Sequence, residues 1–143
     1  ANAFFCDYFQ DSTVSEEEKT GFLFNLDYRQ QASRLTEKEF GVDDKLADVM
    51  LNYLRSGDES RRSGAAGLLG GHASSETAAR LQQLSGTDPS PVVRATAVRS
   101  LGLIGDRATL AYLQCYPVPG EGDFMIKEAL QGAIRKLEQK YPK

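Results

Sequence analysis

Few residues in this 143-residue chain have the types and spacing that chemistry requires. His72 is the single histidine and follows Gly70-Gly71 in a turn. A familiar metal pair needs a second histidine, and no cysteine stands near it in sequence, so an exposed structural histidine is expected. Cys6 and Cys115 are the only cysteines, too few for a disulfide scaffold. They read as two partly buried thiols, with a bridge between them expected only if the protein is exported. A dyad of Cys115 with His72 is conceivable only as a pairing of spatial neighbours, since the two are far apart in sequence. Glu16-Glu17-Glu18 and Glu37-Lys38-Glu39 gather carboxylates, but acid–base work needs a pocket and a raised pKa, so they read as solvated helix ends. Gly67-x-x-Gly70-Gly71 lacks the strand before it, the lysine after it and the spacing of a phosphate loop. Small residues for helix packing explain it better. The expectation is no catalytic residue, no cofactor and no metal.

The elements that would position any site are organised around Asp88–Asp106. Asp88 and Ser90 suit a helix start, and Pro89 and Pro91 suit a first turn that needs no backbone donor. Val93, Ala97, Leu101 and Ile104 then recur at helical spacing, and Gly105-Asp106 ends the run. A helix of about 14 residues is marginal alone in water, so neighbours must cover its stripe. The stretch recurs. Arg61-Arg62-x-x-Ala65-x-x-x-Leu69-Gly70 precedes Val93-Arg94-x-x-Ala97-x-x-x-Leu101-Gly102 by 32 residues, and Met125-Ile126-x-x-Ala129-x-x-x-Ala133-Ile134 follows it by the same step. A fixed period within about 20–50 residues marks a stacked-repeat architecture.

These residues resemble the HEAT-repeat family, most closely its short bacterial form, the PBS-lyase-like repeats. That family pairs an Asp in the inter-helix turn with an Arg six residues later. Asp88 and Arg94 match; Asp58 and Arg62 match in type but stand four apart, which implies a shorter first turn; the third copy has Asp123 but Ile126-Lys127. The resemblance covers about residues 43–140. It implies that Asp58, Arg62, Asp88 and Arg94 form a structural ladder tying the turns of adjacent repeats together. It also implies an all-α fold: a short right-handed α-solenoid of about three antiparallel helix pairs, residues 43–143, with residues 1–42 as an aromatic arm and capping helix.

In order, a capping box at Ser15 opens a helix to about Leu35, with Phe24, Tyr28, Ala32 and Leu35 inward. Phe22, Phe24, Leu26 and Tyr28 also alternate as a strand would. Helices follow from Asp43-Asp44 to about Arg55, Glu59 to Leu69, Ser74 or Ser75 to about Leu84, Arg107 to about Cys115, and Phe124 to about Gln139. Gly64, Ala65, Ala66 and Gly67 make one of them unusually small. Glycine costs up to about 1 kcal/mol per helical site, which close approach of a neighbour would offset. Four rings between Phe4 and Phe9 should cap the first repeat; the alternative is a homodimer through this arm.

In such stacks the second helices line the concave side, so positions 32 apart form columns: Gly67, Arg99, Gln131 beside Gly64, Thr96, Glu128. Neither column is uniformly basic or aromatic, which points to a protein or peptide surface and not a nucleic-acid groove. Arg99, Thr96, Gln131, Glu128 and Tyr116, the last opening a breaker-rich loop to Gly122, are the candidate partner contacts. A net charge of −3 argues against nucleic acid, and no apolar run is long enough to span a membrane. The expected function is a non-catalytic protein–protein interaction or scaffold module in the cytoplasm. The chain opens at Ala1, so a removed export signal is the other localisation. The alternative function implied by the resemblance is a bilin-lyase-like protein that handles chromophores.

Overall fold

The computed structural model describes residues 2–35, 41–117 and 124–142. Every regular element among them is helical: α1 (Asn2–Gln10), α2 (Glu16–Leu35), α3 (Asp44–Tyr53), α4 (Glu59–Leu68), α5 (Ser75–Thr87), α6 (Pro91–Ile104), α7 (Arg107–Gln114) and α8 (Phe124–Lys140), with a 3₁₀ turn at Leu69–Gly71. The strand pattern at Phe22–Tyr28 yields to helix.

The helix starts have local causes. Ser15, Asp43, Asp58, Ser74, Ser90 and Asp106 each accept a hydrogen bond from the backbone N–H three residues on. Each such cap stabilises its helix by about 1 kcal/mol. Asp106 is the fullest case, because the Thr109 hydroxyl also accepts from its N–H at 3.2 Å. Gly105 stops α6 by shape, since a Cβ there would stand 2.6 Å from the Leu101 carbonyl oxygen and from Thr109 Cγ2.

The chain divides into two compact units, Ala1–His72 and Ala73–Lys143. In the N-terminal unit α1 packs on α3 and α2 on α4. The aromatic arm is therefore a helix paired with α2, the same helix-pair plan as α3 with α4. Tyr8 and Phe22 rings lie 4.5 Å apart and Phe9 and Tyr53 5.6 Å apart, and the Tyr53 hydroxyl donates to the Phe9 carbonyl at 3.2 Å. Cys6 and Phe9 are buried beneath them.

The inward face of α2 differs from the expected one. Lys19, Leu23, Leu26 and Asp27 are buried, while Phe24 and Tyr28 are 45% and 73% exposed. The cause lies on α4. A Cβ on Gly64 would meet Leu23 Cγ at 2.8 Å, and one on Gly67 would meet both Asp27 carboxylate oxygens at 2.6 Å. The glycines of α4 are slots that select which turn of α2 faces in, and this close approach offsets their helix cost.

In the C-terminal unit α6 is the centre, packed on α5 and on α8, with α7 on α8. Val93, Ala97, Val98 and Leu101 are fully buried on α6, facing a core that includes Leu81, Leu113, Ile126 and Leu137. The 32-residue step holds in the second helices: Ala66, Val98 and Leu130 are buried, as are Leu69, Leu101 and Ala133. Ala65 and Ala97 are fully buried too, whereas Ala129 is half-buried on the open side of α8.

Candidate functional site: the groove between α6 and α8

α6 and α8 pack together more extensively than any other two described helices. A Cβ on Gly102 would stand 2.6 Å from Ala133 Cα, so the two backbones meet there without a side chain between them. Toward their N-termini the helices part and leave a groove of about 450 Å³. Val92, Ala95, Thr96 and Arg99 form one wall, and Met125, Glu128, Ala129 and Gly132 the other, with Lys136 beside the contact. Its floor is apolar. Val92 and Met125 are exposed at the mouth, and Arg99, Glu128 and Lys136 are exposed along the rim. Thr96 is buried, its hydroxyl donating to the Val92 carbonyl at 2.9 Å, so its methyl group is what the wall presents.

Of the five candidate contacts, Thr96, Arg99 and Glu128 therefore come together in one groove. Gln131 is exposed on α8 outside it. Tyr116 lies elsewhere: its ring stands edge-on to Tyr112, 6.0 Å between centroids, and its hydroxyl donates to the Ser85 carbonyl at 2.6 Å. Residues 118–123, most of the loop that Tyr116 opens and the third-copy Asp123, lie outside the described residues. The expected columns do not begin as open surface, because Gly64 and Gly67 are covered by Leu23 and Asp27 of α2.

The ladder residues take different parts. Arg62 Nη1 donates to the Ser56 carbonyl at 3.0 Å, and Arg94 Nη1 to the Asp88 carbonyl at 2.6 Å. Both reach six residues back, so the two turns are in register and the first is no shorter. Ser56 stands where Asp88 stands 32 residues later. Asp58 corresponds to Ser90 as a helix cap, not to Asp88. Asp88 Oδ1 accepts from the Ser90 N–H at 2.9 Å and folds its own turn.

Arg61 was hidden by the repeat, which aligns it with the buried Val93. It contacts Glu16 at 3.0 Å, donates to Thr20 Oγ1 and Ser56 Oγ at 3.4 and 3.3 Å, and lies 5.7 Å over the Tyr53 ring. Burial of the phenol, with Glu16 nearby, pushes the Tyr53 pKa up. The Arg61 contacts with Glu16 and Tyr53 across helices left no trace in sequence spacing.

The residues of chemical type are dispersed. His72 Nε2 lies 2.7 Å from Asp44 Oδ1 and bridges the 3₁₀ turn to the start of α3. Both cysteines are free thiols, Cys6 buried and Cys115 exposed. Burial, and then the Asp43 carboxylate, push the Cys6 thiol up, toward its protonated form. Hydrogen bonds from Thr109 hold the Asp106 carboxyl below its usual value, and those from Thr13 do the same for Asp11. Among the described residues, no group of three or more His, Cys, Asp or Glu side chains is placed to hold a metal ion. No described helix is long and apolar enough to cross a membrane.

A family model for HEAT repeats matches residues 47–116, from within α3 to just past α7. This segment is similar to the HEAT-repeat family. HEAT repeats generally act as protein-interaction scaffolds and are typically non-catalytic. The HEAT match contains the α6 wall of the groove, while α8 lies beyond it. No curated protein and no solved structure matches the chain.

Proposed function

We propose that the chain is a non-catalytic HEAT-type interaction module that binds another protein or peptide in the groove between α6 and α8. The observation that carries this reading is the groove itself: two packed second helices, their backbones in close approach at Gly102–Ala133, that leave a largely apolar channel on one side with Arg99, Glu128 and Lys136 on its rim. Apolar floors with a few charged rim groups suit protein partners, the floor supplying affinity and the rim register. Arg62 and Arg94, each bound to the turn that leads into its own helix, serve as struts of the scaffold and not as contacts. The groove has no feature that favours the bilin-handling alternative. The test is a complex recovered with the chain as bait. Ala129→Arg, which fills the floor, and Arg99→Glu, which inverts the rim, should each weaken it by tenfold or more, while Gln83→Arg on exposed α5 should not. A complex indifferent to both groove substitutions would move the binding surface elsewhere.

A further inference from the structure

Two features of the chain are left exposed or unfilled among the described residues. One is the outward stripe of α2, where Glu17, Gly21, Phe24 and Tyr28 are all exposed and lie directly opposite the buried face of that helix. The other is a pair of helical glycines. Gly64, Gly67 and Gly102 each meet a neighbour that a Cβ would strike, but Gly21 and Gly132 have nothing within 4 Å. Each costs its helix up to about 1 kcal/mol relative to alanine with no packing in return.

The two features match each other. From Glu17 to Tyr28 is eleven residues, about 16 Å of helix, and so is Met125 to Lys136 along the groove wall. Laid antiparallel, the α2 stripe sets Glu17 against Lys136, Gly21 against Gly132, Phe24 against Ala129 and Tyr28 against Met125. Acid meets base at one end, ring meets thioether at the other, and the two unfilled glycines fall opposite one another, where helices approach closely. One step around the helices, Glu18 falls opposite Arg135.

We infer that the groove's partner is a second copy of this chain, which docks the outward stripe of its α2 antiparallel along α8, between α8 and α6. This rests on reading the groove as a binding surface. The contact is heterologous, with a different patch on each copy, so a pair of chains keeps one stripe and one groove free for further copies and association proceeds head to tail.

The experiment is sedimentation equilibrium on the 143-residue chain. The average mass should rise above 15.7 kDa as concentration increases through the micromolar range, and the rise should be lost at high salt. Tyr28→Glu destroys the stripe and keeps the groove; Ala129→Arg does the reverse. Both side chains are partly or largely exposed, so both variants should fold, which circular dichroism checks. Each alone should be monomeric. Mixed, they should form a complex of one copy each and grow no further, since one stripe and one groove remain intact between them. A wild-type chain that stays monomeric, variants that still associate alone, or a mixture that stays monomeric would overturn the inference. A monomeric chain whose groove still binds another protein would leave the interaction reading standing and remove only the second copy from it.

Discussion

The α2–α4 seam and the α6–α8 seam join second helices of successive pairs, yet glycine is used differently in each, and a groove runs beside the second. On α4 the small residues Gly64 and Gly67 lie under Leu23 and Asp27, so side chains from α2 fill the space beside both glycines. On α6, Gly102 lies against the backbone of Ala133, and the groove opens beside that approach. Where small residues face a large neighbour they seal a seam. Where they face each other they bring two backbones together, and the larger residues around them line a groove. The position of glycine, more than the number of apolar residues, sets which seam can bind.

This contrast can be broken most severely from the sealed side. Leu23→Ala removes a fully buried side chain from the seam and should cost about 2–5 kcal/mol in urea or thermal unfolding. Gly102→Ala comes next. Its Cβ would strike backbone, which cannot turn aside, and overpacking of about 1–3 kcal/mol exceeds the gain of up to about 1 kcal/mol in helix propensity. The groove should also widen, which a change in partner affinity would register. Asp106→Ala should cost about 1 kcal/mol through the lost cap of α7.

The same carboxyl gives a pH dependence. Its folded pKa lies below the unfolded value, so its stabilisation is present above about pH 4 and fades as pH falls through the folded value. Asp106→Asn should flatten that acid limb, read as the unfolding midpoint between about pH 5 and pH 2. The smallest effect sharpens the contrast. Gly132→Ala meets nothing within 4 Å and should stabilise the chain by roughly 0.5–1 kcal/mol, while weakening whatever lies in the groove.

Much of this was legible in the residues. Asp43, Asp58, Ser90 and Asp106 announce helix starts because capping is a local interaction over three residues. The 32-residue step announces the second helices for the same reason, since each repeat writes its own local code. The inward face of α2 was not legible. Phe24 and Tyr28 look like a core stripe, and only the slots on α4, some forty residues away, turn Leu23 and Asp27 inward instead. The ladder was misread by two residues because Asp58 is a cap of the same type as the turn residue Asp88. Thr96 and Glu128 were found together because they share a repeat register, and Arg99 joins them because it stands about one turn along α6 from Thr96, while its own column mate Gln131 lies outside the groove. Tyr116 was not, because a ring next to a loop is drawn to the nearest packing partner, here Tyr112.

The central claim is that the seam between α6 and α8 is open in the free chain and occupied in its complex. Thiol labelling of Ala129→Cys, in a chain with Cys115→Ser and the buried Cys6 retained, tests it directly. The account predicts rapid labelling of the free monomer and strong protection once partner is bound, with Ala65→Cys, fully buried, inert in both states. An Ala129→Cys thiol that is inert in the free chain, or labels as fast in the complex as out of it, would contradict the account.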